Sequence, residues 1–265
     1  MLSPYLSIPA TCALVYRAYS HNSLTPAGIA VAALTAIIHA IHPWAVFFNL
    51  LCTFFLAGTA VTKVGPPPFY TPPLTNPPPP PPDQKINQNL PHALLLRLPP
   101  SSSSEPRTHI QVLANSGTAT FLLILHLYTL NLNTSPSPLC WPSNSRKADL
   151  LLPVGILANY ASVAADTFSS ELGILSSSAP RLITSPSLRK VPRGTNGGVS
   201  GVGTLAGFGG AGIIAIVSVV CIPWCDDAMT ARDAVMFVVA LTLWGGLGSI
   251  LDSLLGGVVA GECGG

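Results

Sequence analysis

The chain has 265 residues, of which 49% are hydrophobic and 8% are charged, and its mean hydropathy is +0.52. Soluble domains carry roughly 25% charged residues because their surfaces must be hydrated. The composition therefore excludes an ordinary soluble domain and favours a protein that faces lipid. The net charge of +2 is spread thinly along the chain, so we expect no nucleic-acid partner.

Seven stretches are apolar over about the 20 residues needed to cross a hydrocarbon core of ~30 Å. They are residues 3–18, 25–42, 44–62, 110–131, 149–172, 199–222 and 233–260. The first stretch does not have the charge pattern of a signal peptide, because Arg17 follows its apolar run instead of preceding it. We predict an all-α, multi-pass transmembrane bundle of six to seven helices in contact with the lipid bilayer.

A proline-rich segment, residues 66–106, separates the third and fourth stretches and holds fifteen of the 27 prolines. Polyproline fixes an extended, solvated backbone without internal hydrogen bonds. We predict a disordered cytoplasmic loop, and we favour a plain linker over a ligand for SH3 or WW domains. The predicted organisation is residues 1–65 with helices one to three, this loop, and residues 107–265 with helices four to seven.

The twelve basic residues divide unevenly when successive loops are assigned to alternate sides of the membrane, with nine on one side and three on the other. The nine are Arg17, Lys63, Lys85, Arg97, Arg107, Arg181, Arg189, Lys190 and Arg193. The positive-inside rule makes their side cytoplasmic and places the N-terminus on the non-cytoplasmic side. We expect an integral protein of an endomembrane.

Six cysteines, at positions 12, 52, 140, 221, 225 and 263, mostly lie within apolar runs. They lack the paired spacing that is typical of zinc ligands. We expect no disulfide framework and no disulfide-linked partner, and we interpret Cys221 and Cys225 as inert thiols.

Three carboxylates, those of Asp166, Glu171 and Asp252, lie in the predicted fifth and seventh spans. A carboxylate in lipid costs about 2.5 kcal/mol or more, so each is a candidate functional group; the alternative is a capped helix end at the interface. With both spans running inward, all three lie near cytoplasmic helix ends. Asp166 and Glu171 are about 140° apart around an ideal helix, which counts against a simple two-carboxylate clamp.

Other polar side chains lie toward the same ends of the spans, several of them on one helical face at i, i+3 or i, i+4 spacing. We expect supporting roles for Lys63, Gln111, Asn115, Ser170, Ser249 and Ser253.

A glycine-rich segment, VPRGTNGGVSGVGTLAGFGGAG from Val191, admits two interpretations. Its first half could form a nest of backbone N–H groups at a helix N-terminus, where dipole and donors favour phosphate. The candidate phosphate-binding residues there are Arg193, Gly194, Thr195, Asn196, Gly197, Gly198 and Ser200. In the second half, the small residues Gly203, Gly207 and Ala211 are each four apart and allow transmembrane helices to approach closely. We expect both interpretations to hold, on different halves.

Several strings resemble the family that contains transmembrane protein 19 and plant phytyl-phosphate kinase. They are GTAVTKVG from Gly58, QVLANSG from Gln111, DTFSSELG from Asp166, PRLIT from Pro180, VPRGTNGGVS from Val191 and GSILDSLLG from Gly248. The match runs in order from about residue 20 to residue 260 and implies an integral membrane protein. Relatives usually continue into further membrane segments, and two interpretations of that difference stay open, a truncated and a mis-assembled gene product.

The resemblance implies a magnesium-dependent kinase that uses a nucleoside triphosphate to convert an isoprenoid lipid phosphate of phytyl type to the diphosphate. On this hypothesis Asp166, Glu171 and Asp252 hold Mg²⁺ directly or through water, and residues 193–198 and Ser200, with Arg181 or Lys190, contact phosphates. The glycine-lined sixth span would leave a groove for the isoprenoid tail. The alternative is a transporter or a non-catalytic membrane protein, and a transporter should place its polar groups near the midplane.

Overall fold

The computed structural model describes residues 4–64, 106–132, 140–141, 147–225 and 229–262. Most of the predicted proline-rich loop lies outside these residues. The described residues form seven helices and one short two-stranded sheet. They are α1 (Pro4–Ser20), α2 (Pro26–Ile41), α3 (Ala45–Val61), α4 (His109–Leu132), α5 (Lys147–Gly173), β1 (Arg181–Leu182), β2 (Gly198–Val199), α6 (Gly201–Cys221) and α7 (Ala231–Glu262). The predicted helical class is confirmed, and β1 and β2 are a small addition to it.

Four of the helices are long and apolar enough to cross a membrane. Their spans are His109–Asn131, Leu151–Gly173, Gly201–Cys221 and Ala231–Val259. The apolar helices α2 and α3 have 16 and 17 residues, or about 25 Å at 1.5 Å per residue, which is less than the ~30 Å of a hydrocarbon core. Large apolar side chains on α7, such as Val235, Leu247 and Leu251, face outward, as contact with lipid requires.

The centre of the bundle is formed by α5, α6 and α7, which approach closely because glycines lie against backbone atoms. An ideal Cβ placed on Gly207 would be 3.0 Å from the carbonyl oxygen of Ala165. One placed on Gly245 would be 2.7 Å from both the Ala161 oxygen and the Ala211 Cβ. Gly203, Gly210 and Gly248 make comparable close contacts. The prediction that small residues on the sixth span serve helix approach is confirmed.

A buried hydrogen-bond chain joins α2 to α5. The Nδ1 atom of His39 lies 2.8 Å from the Thr35 carbonyl oxygen, and its Nε2 atom lies 2.8 Å from the Tyr160 hydroxyl. Because a carbonyl oxygen can only accept, the proton lies on Nδ1, and Tyr160 donates to Nε2. Tyr160 and His39 are both fully buried, so the chain satisfies polar atoms that would otherwise be costly in the core.

Cys140 and Cys225 form a disulfide with their Cα atoms 4.9 Å apart, so the interpretation of Cys225 as an inert thiol was wrong. The backbone N–H of Trp141 donates to the Pro223 oxygen, and that of Cys225 donates to the Trp141 oxygen. The Trp141 and Trp224 rings stack with centroids 5.3 Å apart. These contacts hold the α4–α5 and α6–α7 connections together at one end of the bundle.

The glycine contacts predict unequal effects of adding one methyl group. We expect Gly245→Ala to lower the melting temperature in detergent, because overpacking a tight contact costs about 1–3 kcal/mol. Gly209→Ala is the matched control, since an ideal Cβ on Gly209 has no neighbour within 4 Å and alanine is the better helix former. Equal melting temperatures for the two variants would contradict the proposed packing.

The disulfide predicts a stability that depends on reductant. A cross-link between residues 85 apart in sequence contributes about 2–4 kcal/mol, so dithiothreitol should lower the melting temperature of the parent protein. The double variant Cys140→Ala/Cys225→Ala should melt at the reduced protein's temperature and show no response to reductant. A response that persists in the double variant would assign the effect to another thiol.

Candidate functional site

A cavity of about 280 Å³ opens where α5 ends, α6 begins and the C-terminal half of α7 passes them. Of the predicted site residues, it is lined by Asp166 and Ser170 from α5, by Asp252 and Ser253 from α7, and by the segment 193–200, of which Val199 was not among the predictions. Asp166 and Ser253, 87 positions apart in the sequence, therefore line one space at one end of the helices.

The connection from α5 to α6 is shaped by the antiparallel pairing of β1 with β2. Beside this pair, the Ile183 N–H donates to the Gly197 oxygen at 2.9 Å. Gly197 has a φ of +77°, and an ideal Cβ on it would lie 2.6 Å from the Cα of Gly257. Both observations require glycine, and together they fix this connection against α7.

The predicted nest of N–H groups is only partly available to a ligand. Gly194 has a φ of +82°, which gives the turn its direction. The Gly198 N–H donates to the Thr195 oxygen at 2.9 Å, so this amide is already engaged within its own turn. The Thr195 hydroxyl in turn donates to the Pro192 oxygen at 2.8 Å. Asn196 lines the cavity and is exposed.

Arg193 and Ser200 support the cavity wall and also line it. The Arg193 guanidinium donates to the carbonyl oxygen of Ser176, which ties the turn to the end of α5. The Ser200 hydroxyl oxygen caps α6 by accepting from the Gly203 N–H at 3.1 Å. Because α6 begins at the cavity, the positive end of its helix dipole faces this space.

The two cavity carboxylates come from different helices and repel each other. Asp166 on α5 is half-buried, whereas Asp252 on α7 is exposed. The charge of Asp252 acts on Asp166, and the buried Ser249 hydroxyl donates a hydrogen bond to the Asp166 carboxylate. A cation between the two carboxylates would relieve the repulsion, so the pair has the electrostatics of a cation site.

Glu171 does not line the cavity, and its charge acts on Arg107 instead. Arg107 exchanges two backbone hydrogen bonds of 3.0 Å with Ser23 and Thr25, and its Nη1 atom would lie 3.5 Å from an ideal Cβ on Gly58. Burial lowers the pKa of the Arg107 guanidinium, and the carboxylate of Glu171 opposes that shift. The sequence indicates Arg107 only as one of the cytoplasmic charges, because no sequence pattern links it to the distant Glu171.

The described part of the chain contains no group of three or more Asp, Glu, His or Cys side chains placed to hold a metal. The structure therefore does not bring the three predicted magnesium-binding carboxylates together. It places Asp166 and Asp252 at one cavity and turns Glu171 toward another face of α5.

Four predicted supporting residues lie outside the cavity lining: Ser249, which bonds Asp166 from behind the lining, and three others. Gln111 forms a capping box with Thr108, since each accepts a hydrogen bond from the other's backbone N–H, at 2.8 and 3.4 Å. The Asn115 carbonyl oxygen accepts from the Asn159 side chain at 3.2 Å, which joins α4 to α5. Lys63 is exposed beyond the end of α3. The contacts of Gln111 and Asn115 serve helix ends and helix packing.

The family profile described as "Integral membrane protein DUF92" matches residues 9–67 and 94–263. The chain belongs to this family. It is 30% identical over 250 residues to Protein PGR of Arabidopsis thaliana, which covers 93% of this chain and 75% of that protein. It is 37% identical over 103 residues to an uncharacterized membrane protein of Methanocaldococcus jannaschii, covering 39% of this chain and 38% of that one. No solved structure matches the chain.

Family membership agrees with the composition, with the four long apolar helices and with the outward-facing apolar side chains. The protein is therefore a multi-pass integral membrane protein, and the family resemblance drawn from the motif strings is confirmed.

The charge of Glu171 acting on Arg107 predicts coupling between the two side chains. Both are partly buried, so solvent weakens their interaction, and Glu171→Gln should lower the free energy of unfolding by up to about 1 kcal/mol. In the double variant Arg107→Met/Glu171→Gln we expect a loss smaller than the sum of the single losses, measured by denaturant titration in detergent. Lys63→Gln, at an exposed cation, should add to Glu171→Gln without coupling. Additive losses for Arg107 and Glu171 would show that the two side chains do not interact.

Proposed function

We propose that the protein is a magnesium-dependent kinase that transfers a phosphoryl group from a nucleoside triphosphate to a phytyl-type isoprenoid monophosphate at the cytoplasmic face of the membrane. The observation that supports this proposal is one cavity that combines two carboxylates, an arginine and the N-terminus of α6. Phosphoryl transfer depends mainly on positioning and charge neutralisation, for which these groups are suited.

The carboxylate pair fits Mg²⁺. This ion is typically bound by one or two carboxylates and keeps waters and substrate phosphate oxygens as its other ligands. Asp166 and Asp252 would hold it, and the hydroxyl of Ser253, which also lines the cavity, would contact one of its waters. When bound, the ion supplies neutralisation of the charge on the transferred phosphoryl group.

The reaction balances without any covalent participation by the protein. An oxygen of the lipid monophosphate forms a bond to the γ-phosphorus of the nucleoside triphosphate. The bond between the γ-phosphorus and the oxygen that bridges it to the β-phosphorus breaks. The products are the lipid diphosphate and the nucleoside diphosphate. On this proposal Arg193 and the start of α6 orient the phosphates, because a guanidinium and a helix N-terminus both favour anions.

The position of the cavity distinguishes this proposal from the transporter alternative. Transport sites lie near the bilayer midplane, where broken helices meet. The cavity lies where α5 ends and α6 begins, and on this proposal a soluble nucleotide and a lipid headgroup would reach the same space there. The isoprenoid tail would lie along the outer side of α6, where ideal Cβ atoms on Gly201 and Gly209 have no neighbour within 4 Å. On the face of α6 that packs against α5, backbone atoms of α5 occupy the space beside the glycines. No groove remains on that face.

Two independent features support a cytoplasmic cavity with the N-terminus on the other side. The first is the nine-to-three division of basic residues between the loops. The second is the disulfide, because Cys140 and Cys225 lie in the connections at the opposite end of α5 and α6 from the cavity. Disulfides persist in oxidising compartments, whereas the cytosol keeps thiols reduced.

The direct test is turnover of phytyl or other prenyl monophosphates by the purified protein with a γ-labelled nucleoside triphosphate and Mg²⁺. We expect a labelled lipid diphosphate. Asp166→Asn and Asp252→Asn should each lower kcat/KM by about 100-fold or more, because each removes a carboxylate that would hold the metal and, through it, the phosphates.

Glu171→Gln is the matched control, because it removes a nearby carboxylate that lies outside the cavity. Normalised to folded protein, its turnover should stay within a few-fold of the parent. No diphosphate from any prenyl monophosphate, or unchanged turnover in both aspartate variants, would eliminate the kinase proposal.

A further inference from the structure

The connection between α5 and α6 carries a strong excess of positive charge. Residues 174–200 contain four arginines and lysines and no acidic residue. One of the four, Arg193, lines the cavity. The other three, Arg181, Arg189 and Lys190, are exposed and do not line it. These three cations therefore lie outside the cavity wall, on the exposed surface of the connection.

Backbone pairing gathers the three cations on one hairpin, residues 181–190, which we call the basic hairpin. Arg181 and Lys190 lie opposite each other in an antiparallel bridge. The Leu182 N–H donates to the Arg189 oxygen at 2.9 Å. Charges that are eight or nine positions apart in sequence consequently occupy one small surface.

An apolar side chain projects beside these charges. Leu188 is 45% exposed and has a φ of +46°, which is unusual for a residue other than glycine. Its N–H donates to the Ser185 oxygen at 2.8 Å, which holds the turn. An exposed leucine followed directly by Arg189 and Lys190 combines apolar and cationic contacts, as interfacial membrane anchors do.

The turn of the hairpin packs against a membrane helix. An ideal Cβ on Gly257 of α7 would lie 2.9 Å from the Cγ2 atom of Thr184. The hairpin also follows the end of α5 and precedes the start of α6. It is thus held at the level where membrane helices end, which is the level of lipid headgroups.

We propose that the basic hairpin binds anionic phospholipid headgroups of the leaflet at the mouth of the cavity. The cytoplasmic leaflet has a negative surface potential, and a Lys or Arg near that surface gains about five-fold in local preference, or about 1 kcal/mol. Three cations without an acidic neighbour in their segment match that partner in charge. This interaction does not depend on the proposed kinase reaction.

The test measures lipid contact directly at the hairpin. The probe is an NBD fluorophore attached to the new thiol of a Leu188→Cys variant, in phosphatidylcholine nanodiscs. All native cysteines except Cys140 and Cys225 are replaced by serine in this variant. Spin-labelled phosphatidylserine or spin-labelled phosphatidylcholine is then added at equal mole fraction. We expect a relative association constant for phosphatidylserine at least five-fold above that for phosphatidylcholine, with a decrease at high salt.

The triple variant Arg181→Gln/Arg189→Gln/Lys190→Gln should bring this ratio to about one, since it removes the charges while leaving the label in place. Its three side chains are exposed, so the fold should persist, and a melting curve checks this. Arg189→Gln alone should give a partial loss if the triple variant does not fold. The same label at Ser177, an exposed residue outside the hairpin, should report a smaller preference.

A ratio near one in the parent protein would overturn the proposal, and so would a preference that survives the triple substitution. If the triple variant lost nucleotide binding while its lipid preference stayed intact, the cations would belong to the cavity instead, which also overturns it. Because the quenching is measured without nucleotide or prenyl phosphate, its failure leaves the kinase proposal untouched. Failure of the kinase assay likewise leaves the quenching result valid.

Discussion

The carbonyl oxygens of α5 lie against glycines of α6 and α7, and this backbone contact positions the candidate site. Side chains at Gly207 or Gly245 would separate the helices, since an ideal Cβ at either position lies 3.0 Å or less from an α5 oxygen. In lipid there is no hydrophobic drive between helices, so close packing itself must supply the association. Because the axes of α5, α6 and α7 lie close together, Asp166 on α5 and Asp252 on α7 line a common cavity, although α6 separates these two helices in the chain.

The two faces of α5 carry separate polar groups near the same end. Asp166 lies toward α7 and the cavity, whereas Glu171 acts on Arg107, which lies beside Gly58 at the end of α3. Helical geometry explains this division, because residues five positions apart differ in direction by about 140°. One helix end therefore presents one carboxylate to the cavity and directs the charge of a second toward the partly buried Arg107.

Much of this arrangement could be predicted from the sequence, because it depends on regular geometry. Apolar length predicted the helices, four-residue spacing of glycines predicted the close packing, and alternation of loops predicted which groups share one side. The bonding of Cys140 to Cys225 and the electrostatic interaction of Arg107 with Glu171 could not be predicted, since each links segments more than 60 residues apart whose approach is set by tertiary packing. Nor does a glycine-rich string reveal that the Gly198 N–H is consumed within its own turn.

The two ends of the bundle carry different chemical groups, so the bundle is asymmetric along its axis. One end holds the disulfide and the stacked Trp141 and Trp224, which suit an oxidising compartment and a membrane interface. The other end holds the cavity and the cations of the α5–α6 connection. Because glycine packing holds α5, α6 and α7 together, the two ends of the bundle keep a fixed orientation relative to each other. The disulfide at one end and the charge excess at the other agree with the orientation in the proposed function, in which the cavity faces the cytoplasm.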